Sequence, residues 1–111
     1  MMVVYEVNLV VDAAIADEYE RWLAGHIKEM LEVPGFFRAR WYARNPQDEG
    51  GAPSDDAYWT VQYDVYTRED LNRYFREDAA RLRGDAITRF GGRFSASRRV
   101  LVPRSLEAPP A

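Results

Sequence analysis

Residues 18–37, EYERWLAGHIKEMLEVPGFF, join an amphipathic helix to a stop signal and the start of a strand. Apolar or ambivalent residues recur here at spacings of three and four, which places them on one face of a helix. Together with Ile15 just before the stretch, they are Tyr19, Trp22, Leu23, His26, Ile27, Met30 and Leu31. Asp12 can cap the first turn, and Pro34 followed by Gly35 should end the helix. We predict a helix over residues 13–32.

Four other segments alternate between two faces, as strands do. These segments are residues 3–11, 36–44, 58–66 and 94–102. Thr67 begins a capping motif, and the apolar stripe after it predicts a second, continuous helix over residues 68–90. The order is therefore β-α-β-β-α-β, and right-handed crossovers place both helices on one face of a four-stranded antiparallel sheet. This is a ferredoxin-like α+β fold, with strand order 4-1-3-2.

The two faces of the predicted sheet differ in chemistry. Odd-numbered residues of the first and third strands should lie beneath the helices; they include Tyr5, Val7, Trp59 and Tyr63. The opposite, outer face should carry Val4, Glu6, Val10, Tyr58, Gln62, Asp64 and Tyr66, joined by Arg38, Arg40, Tyr42 and Arg99. Alternation along the second strand puts Phe36 on the same side as Arg38 and Arg40. Such a face is too apolar for bare solvent and too charged for a core. We expect it to pair with a second copy of the chain, with its charges in a satisfied network.

Length and composition bound the remaining possibilities. With 111 residues the chain should form a single domain over residues 1–102, followed by a disordered tail at 103–111. It has no cysteine, so disulfides and thiolate chemistry are excluded and the cytoplasm is the default location. A net charge of -3 argues against nucleic acid. No run is long enough to span a membrane. The polar segment 45–57 is predicted to be a mobile loop.

The run YEVNLVVDAAIADEYERWLAGHIKEMLEVPGF, with RYFREDAARLR and the closing FSASRRVL, resembles a small family of uncharacterised bacterial proteins. That family is classed as a domain of unknown function and is similar to the dimeric α/β barrel superfamily. The resemblance covers about residues 3–102 and implies a ferredoxin-like protomer whose sheet packs against a second copy. It implies no activity, because the superfamily includes cofactor-independent monooxygenases, lactone isomerases, haem proteins and ligand-sensing modules.

His26 is the single histidine, and it lies on the apolar stripe between Trp22 and Met30. One hypothesis makes it a proton shuttle or haem ligand beside a cavity. The interpretation we favour is a neutral core histidine, hydrogen-bonded to a neighbouring group, with no open cavity beside it. Asp78 on the second helix could pair with it or with Arg98, although a solvated position at the edge of the stripe fits an acid better.

Aromatic residues of the first helix and the inner sheet face are candidates to line a pocket for a flat ligand. They are Tyr5, Trp22, Trp41, Trp59 and Tyr63, with His26 among them. Aromatic side chains at such spacings also occur simply as core. Arg98 and Arg99 lie on opposite faces of the last strand, so at most one of them can reach a cavity.

Several kinds of site lack their sequence signals. One histidine without cysteine, among acids that show no ligand spacing, predicts no metal site, and no cofactor is predicted. Glycine-rich phosphate loops and nucleophile elbows do not occur, so hydrolase and nucleotide chemistry are unsupported. An RNA-recognition module has the same element order, but the third strand here has that module's aromatics without its glycines or basic residue.

The sequence does not determine a function. We expect a small homodimeric protein that binds or senses a small hydrophobic ligand. The first alternative is a cofactor-independent monooxygenase- or isomerase-like enzyme for a small hydrophobic or aromatic substrate, with His26 as the weak catalytic candidate. The second is a structural or protein-interaction module. A cavity beside His26 favours the first two, and a filled core favours the third.

Overall fold

Helices cover one face of a four-stranded antiparallel sheet whose order is β2-β3-β1-β4. The structure, a computed structural model, describes residues 1–105. The strands are β1 (Val3–Val11), β2 (Phe36–Arg44), β3 (Ala57–Val65) and β4 (Phe94–Leu101). The helices are α1 (Ala16–Met30), α2 (Arg68–Glu77) and α3 (Ala79–Phe90), with single 3-10 turns at Ala13–Ile15 and Pro46–Glu49. The predicted ferredoxin-like α+β fold and its strand order are confirmed.

The segment that begins with α1 follows its sequence signals closely. The Asp12 carboxylate accepts a hydrogen bond of 2.9 Å from the Ala14 amide and caps the 3-10 turn Ala13–Ile15. The α-helix itself is shorter than the predicted 13–32, since it runs from Ala16 to Met30. After Met30 the chain makes turns that lead to Gly35, whose φ of 91° lies in the left-handed region. A Cβ on this glycine would also lie 2.5 Å from the Asp70 side chain. Gly35 therefore permits both the turn into β2 and the close approach of α2.

The second predicted helix is divided at Asp78, so the prediction of one continuous helix is wrong. Asp78 has φ -122° and ψ -26°, outside helical geometry, and separates α2 from α3. In a continuous helix it would follow Tyr74 by one turn and carry its carboxylate towards the core. The break instead buries Ala79 and leaves Asp78 half-buried, paired with Arg81 at 3.1 Å. The predicted partners His26 and Arg98 are therefore replaced by a neighbour on the same segment.

A bulge in β2 changes which aromatic residue is buried. The register against β3 shifts between Phe36 and Arg38, so strict alternation fails at this point. Phe36 joins the core against Tyr63 and Tyr74, and its predicted position on the outer face is wrong. Phe37 is extruded instead and stacks on Tyr66 with ring centroids 4.1 Å apart.

Two buried carboxylates organise the outer face of the sheet. Asp64 accepts hydrogen bonds from Arg38 at 2.6 Å and from Arg40 at 2.9 and 2.8 Å. Glu6 accepts hydrogen bonds from Arg99, from Gln62 and from Asn8. Burial opposes ionisation of Glu6, but these donors outweigh it and lower its pKa to about 2. The predicted charge network is thus present within one chain.

The loop between β2 and β3 contacts the rest of the fold at both of its ends. Arg44 forms an ion pair of 2.6 Å with Glu49, and the Asp56 carboxylate accepts a hydrogen bond of 3.1 Å from the Ala13 amide. Its predicted mobility stays a prediction.

Residues 102–105 follow β4 without regular structure, and the remainder of the predicted tail, 106–111, lies outside the described residues. Within residues 1–105 no helix is long and apolar enough to cross a membrane. The predicted cytoplasmic location stays a prediction.

Candidate functional site

A cavity of about 430 Å³ lies between the inner face of the sheet and the helices α1 and α3. Its volume falls within the roughly 300–1,000 Å³ typical of small-molecule sites. Small residues leave this space open, because Ala86 on α3 and Ala96 on β4 line it where larger side chains would fill it. Ile87 also lines it and is exposed to solvent, so the cavity opens at this edge.

Aromatic side chains form much of the cavity wall. They are Tyr5, Tyr19, Trp22, Tyr63, Tyr74 and Phe94. Burial raises the pKa of Tyr19, of Tyr63 and of Tyr74 above the ordinary value. These phenols therefore remain neutral and can donate or accept hydrogen bonds, but they do not supply phenolates at neutral pH.

Trp22 and His26 form a stacked pair in the wall, to which α1 also contributes Tyr19, Leu23 and Met30. The rings of this pair stack with centroids 4.6 Å apart and planes 17° from parallel, as the spacing of four along a helix allows. The indole N–H of Trp22 donates a hydrogen bond of 2.7 Å to Asp85, which fastens α1 to α3. On its other side His26 borders an outer groove of about 370 Å³. His26 is thus part of the wall between the cavity and this groove.

The environment of His26 keeps its imidazole neutral. Burial lowers its pKa to about 4, and the Arg98 charge adds to this, while the charge of Asp85 opposes it in part. Because a cavity of about 430 Å³ adjoins the ring, the expectation of a filled core beside His26 is wrong. Asp85 is the carboxylate that influences this histidine, and the alternative pairing of His26 with Asp78 is replaced by the ion pair of Asp78 with Arg81.

Two arginines line the cavity. Arg83 on α3 donates a hydrogen bond of 2.8 Å from Nη2 to the hydroxyl of Tyr5, and its guanidinium lies 5.9 Å from the ring centroid of Phe75. Its Nε is buried and has no hydrogen-bond partner within residues 1–105. Arg98 reaches the cavity from β4, while Arg99 points to the outer face and bonds Glu6. One arginine of this pair therefore reaches a cavity, as the alternation of the strand allowed.

The structure brings most of the predicted pocket residues together. Tyr5, Trp22, His26 and Tyr63 all line the cavity, whereas Trp59 does not. Trp59 packs in the core against Tyr19 and Trp41, with ring centroids 6.1 and 5.8 Å away.

Sequence reasoning missed Arg83, although a signal for it was present. Arg83 follows Ala79 by four positions and precedes Ala86 by three, so it lies on the same helical face as these two buried residues. An arginine on the buried face of an amphipathic helix is uncommon and indicates either a partner or a site.

Within the described part of the chain, no cluster of three or more histidine, cysteine or acidic side chains is placed to hold a metal ion. The acids nearest the cavity act on neighbouring side chains instead, as Asp85 does on Trp22. The arrangement is therefore suited to holding an organic molecule through ring faces and arginine donors.

Comparisons with known proteins agree with this architecture. A family model described as Domain of unknown function (DUF4286) matches residues 2–103. No curated protein matches the chain. The predicted resemblance to a domain of unknown function is thereby confirmed.

Several solved structures share the fold over nearly the whole chain. A variant of SnoaB, a cofactor-independent oxygenase from Streptomyces nogalater, has 15% identity and a TM-score of 0.68, with 95% of each chain covered. An ethyl tert-butyl ether d (ethd) family protein from Bacillus halodurans has 15% identity and a TM-score of 0.68, covering 94% of this chain and 100% of that chain. A monooxygenase from the gene ActVA-Orf6 of Streptomyces coelicolor, in complex with Nanaomycin D, has 21% identity and a TM-score of 0.60, covering 98% and 92%.

A de novo designed protein, Foldit4, is also similar, with 12% identity and a TM-score of 0.61 over 94% of this chain and 100% of that chain. Since a designed protein and natural oxygenases share the architecture, these similarities show the fold alone. A function has to be argued from the cavity and its residues.

Proposed function

The chain belongs to the family described as Domain of unknown function (DUF4286), a membership that fixes no activity. From the cavity we propose that it binds a small, flat, hydrophobic molecule. The binding site is the cavity between the helices and the sheet. One observation carries this proposal, namely a space of about 430 Å³ walled by aromatic side chains inside a domain that is otherwise packed.

The orientation of the aromatic rings supports a flat ligand. The stacked pair of Trp22 and His26 forms one wall, and Tyr5 and Tyr63 form a second stacked pair on the sheet, with centroids 6.1 Å apart. Aromatic rings attract other rings in offset or edge-to-face arrangements. A planar ring system placed between these pairs gains such contacts with both, whereas a branched aliphatic molecule does not.

The cavity also argues against a purely structural role. Unfilled space in a core loses dispersion contacts and destabilises the fold, as substitutions that create cavities show. A domain whose only task was to present a surface would gain stability from a larger residue at Ala86 or Ala96. The small residues at these positions favour a role for the space itself.

Catalysis is the second candidate function. The observation that favours it is the similarity of fold, over 95% of the chain, to SnoaB, which is described as a cofactor-independent oxygenase. His26 is the weak candidate for a general base, but its pKa of about 4 is far from the value near the working pH that efficient proton transfer needs. Binding without chemistry therefore fits the site better. Consumption of oxygen when a bound phenol is added would favour the oxygenase.

A thermal-shift screen tests the binding function. The panel contains naphthols, naphthoquinones, hydroxyanthraquinones, flavins and haem, with branched aliphatic molecules of similar volume for comparison. We expect flat aromatic compounds to raise the melting temperature by several degrees, because a ligand that binds only the folded state stabilises it. Isothermal titration then gives the affinity of each compound that shifts the melting temperature.

A pair of matched substitutions on α3 locates the binding. Ala86→Leu places extra side-chain volume in the cavity, and Ala80→Leu makes the same change at an exposed position of the same helix. We expect the first variant to lose the thermal shift and the second to retain it. Retention of ligand affinity by a correctly folded Ala86→Leu protein would show that the cavity is not the site.

We further propose that the outer face of the sheet joins two copies of the chain. Its buried acids are already neutralised by Arg38, Arg40 and Arg99, so the face can be covered without isolating a charge. The molecule measures 50 × 38 × 18 Å, and its broad face exceeds the roughly 800 Å² that each subunit contributes to a standard interface. This face is the one that the helices leave uncovered.

A further inference from the structure

Building on the proposed binding of a flat molecule, we propose that the ligand is an anion, an aromatic acid whose ionised carboxylate is held by Arg83. The ring system occupies the aromatic part of the cavity and the carboxylate takes the guanidinium donors that the protein leaves free. Three features of the structure lead to this class of ligand.

The first feature is the unsatisfied donor of Arg83. Its Nε is the one buried side-chain nitrogen or oxygen within residues 1–105 that lacks a hydrogen-bond partner. A buried donor without an acceptor costs free energy, and more so in a charged group, so native proteins seldom keep one. The Tyr5 hydroxyl accepts a hydrogen bond of 2.8 Å from Nη2, while Nε of the same guanidinium is left without an acceptor. The Nε–H group of Arg83 therefore lacks a hydrogen-bond acceptor.

The second feature is the charge balance of the cavity. Arg83 and Arg98 both line it, and among the described residues no aspartate or glutamate does. Elsewhere the chain pairs its arginines with acids, as Arg40 pairs with Asp64 at 2.8 Å. The nearby carboxylate of Asp85 is engaged by the Trp22 indole instead. The interior of the cavity thus carries positive charge that no side chain of its wall compensates.

The third feature is that Arg83 is charged and positioned. Burial lowers its pKa, but its contacts with Tyr5 and Tyr74 outweigh burial and raise the pKa above the ordinary value. The guanidinium is also held from two sides, by the Tyr5 hydroxyl and by the ring of Phe75. A planar guanidinium fixed in this way matches a planar carboxylate through paired N–H donors. A neutral ligand would leave its charge uncompensated.

Isothermal titration with matched probes separates a charge requirement from shape. The probes are benzoate, 2-naphthoate and anthracene-2-carboxylate, each compared with its primary amide, which has the same outline without the charge. We expect the best-fitting acid to bind at least about tenfold more tightly than its amide, because hydrogen bonds to charged groups are the stronger ones. Added salt should reduce the difference.

Three variants test whether Arg83 causes the tighter binding of the acid than of its amide. Arg83→Met removes the charge and keeps a long side chain, so the acid should fall to the affinity of its amide while the amide is little changed. Arg83→Lys keeps the charge without Nε and should retain part of the preference. Arg89→Met, at an exposed position of the same helix outside the cavity, should keep the preference in full. Unfolding without ligand checks that each variant is folded.

The outcomes separate the two proposals. Equal binding of an acid and its amide to the unmodified protein overturns the anionic ligand and leaves the binding function standing. An acid preference that persists undiminished in Arg83→Met assigns the charge recognition to another residue and overturns the role of Arg83. Failure of every acid to bind overturns the aromatic acid alone if flat compounds of the thermal-shift panel bind, and it overturns the proposed binding function as well if none of them does.

Discussion

His26 shows how position changes the chemistry of a single residue. It lies in the wall between the cavity and the outer groove, against the face of Trp22. Burial disfavours the imidazolium and lowers the pKa of His26. The negative charge of Asp85 raises this pKa, but by less than burial lowers it. A histidine at this point is therefore a neutral polar group at pH 7, able to accept or donate a hydrogen bond inside the cavity but poorly suited to hold a proton.

The depressed pKa of His26 predicts a pH dependence of stability. Its value is about 4 in the folded protein against 6.5 in the unfolded chain, so the unfolded state binds more protons between these limits. The contribution of His26 to the free energy of unfolding should be fully present above pH 6.5 and should fall as the pH drops towards 4. The loss should be on the order of 3 kcal/mol, measured by urea unfolding at each pH. NMR titration of this single histidine gives the pKa directly.

The control for this prediction is His26→Gln, which removes the titrating group. Glu6 has its own pKa lowered from 4.5 to about 2, so its contribution changes below the range where the histidine titrates. Stability of the glutamine variant should therefore be much flatter between pH 4.5 and 6.5. A slope equal to that of the unmodified protein would contradict a depressed histidine pKa.

At the scale of elements, two irregularities determine what faces the core. The break at Asp78 turns a carboxylate out and Ala79 in, and the bulge in β2 turns Phe36 in and Phe37 out. At Asp78 the regular helical period would have carried a carboxylate towards the core, so the local departure from helix geometry is less costly there than a buried, unpaired charge. The bulge in β2 exchanges one phenylalanine for another, and the exposed ring of Phe37 stacks on Tyr66.

Paired substitutions at the break test this explanation. Asp78→Ala should change the free energy of unfolding by no more than about 0.5 kcal/mol, because its ion-pair partner Arg81 is largely exposed and screened by solvent. Ala79→Asp should cost about 2–4 kcal/mol, because it places a carboxylate in a buried site without a partner. Urea unfolding at neutral pH measures both. Similar losses of unfolding free energy in the two variants would mean that the break does not determine which residue faces the core.

The regular elements were predictable from sequence because their signals are local. Residues 3–11 and 36–44 alternate as strands and form β1 and β2 with those bounds. The break at Asp78 was harder, since an apolar stripe continues on both sides of it. The cavity was harder still, because it depends on small residues from α3 and β4 that are distant in sequence, and on the volume their neighbours do not fill. The periodicity of α3 could have placed Arg83 on the buried face from sequence alone. The unpaired Nε, which indicates a missing acceptor, is visible only in the structure.

At the scale of the whole molecule, the two broad faces have different tasks. The helices and the inner sheet face enclose the cavity, and the outer sheet face presents paired charges among partly buried side chains such as Val10 and Tyr58. In a molecule only 18 Å thick, each sheet face lies close to solvent unless something covers it. The proposed dimer would cover the outer face without altering the cavity.

Light scattering at micromolar concentration tests the dimer. We expect twice the mass of the chain, with at least about 1,200 Å² buried in total. Val10→Arg places an unpaired cation on the outer face and should shift the mass towards the monomer, because an uncompensated charge in an interface is costly. Ala24→Arg, at an exposed position of α1, should leave the mass unchanged. A monomer mass for the unmodified protein would refute the dimer.

The charge network of the outer face also has a consequence for folding. Each buried carboxylate lies on a central strand and takes its arginines from an edge strand, so Glu6 ties β4 to β1 and Asp64 ties β2 to β3. Sliding either edge strand by two residues would keep every side chain on its proper face, and hydrophobic pattern alone would not forbid it. Sliding β4 would, however, separate Glu6 from Arg99, and sliding β2 would disrupt the paired contacts of Arg38 and Arg40 with Asp64. The network therefore selects one alignment of the edge strands among those that the apolar pattern permits.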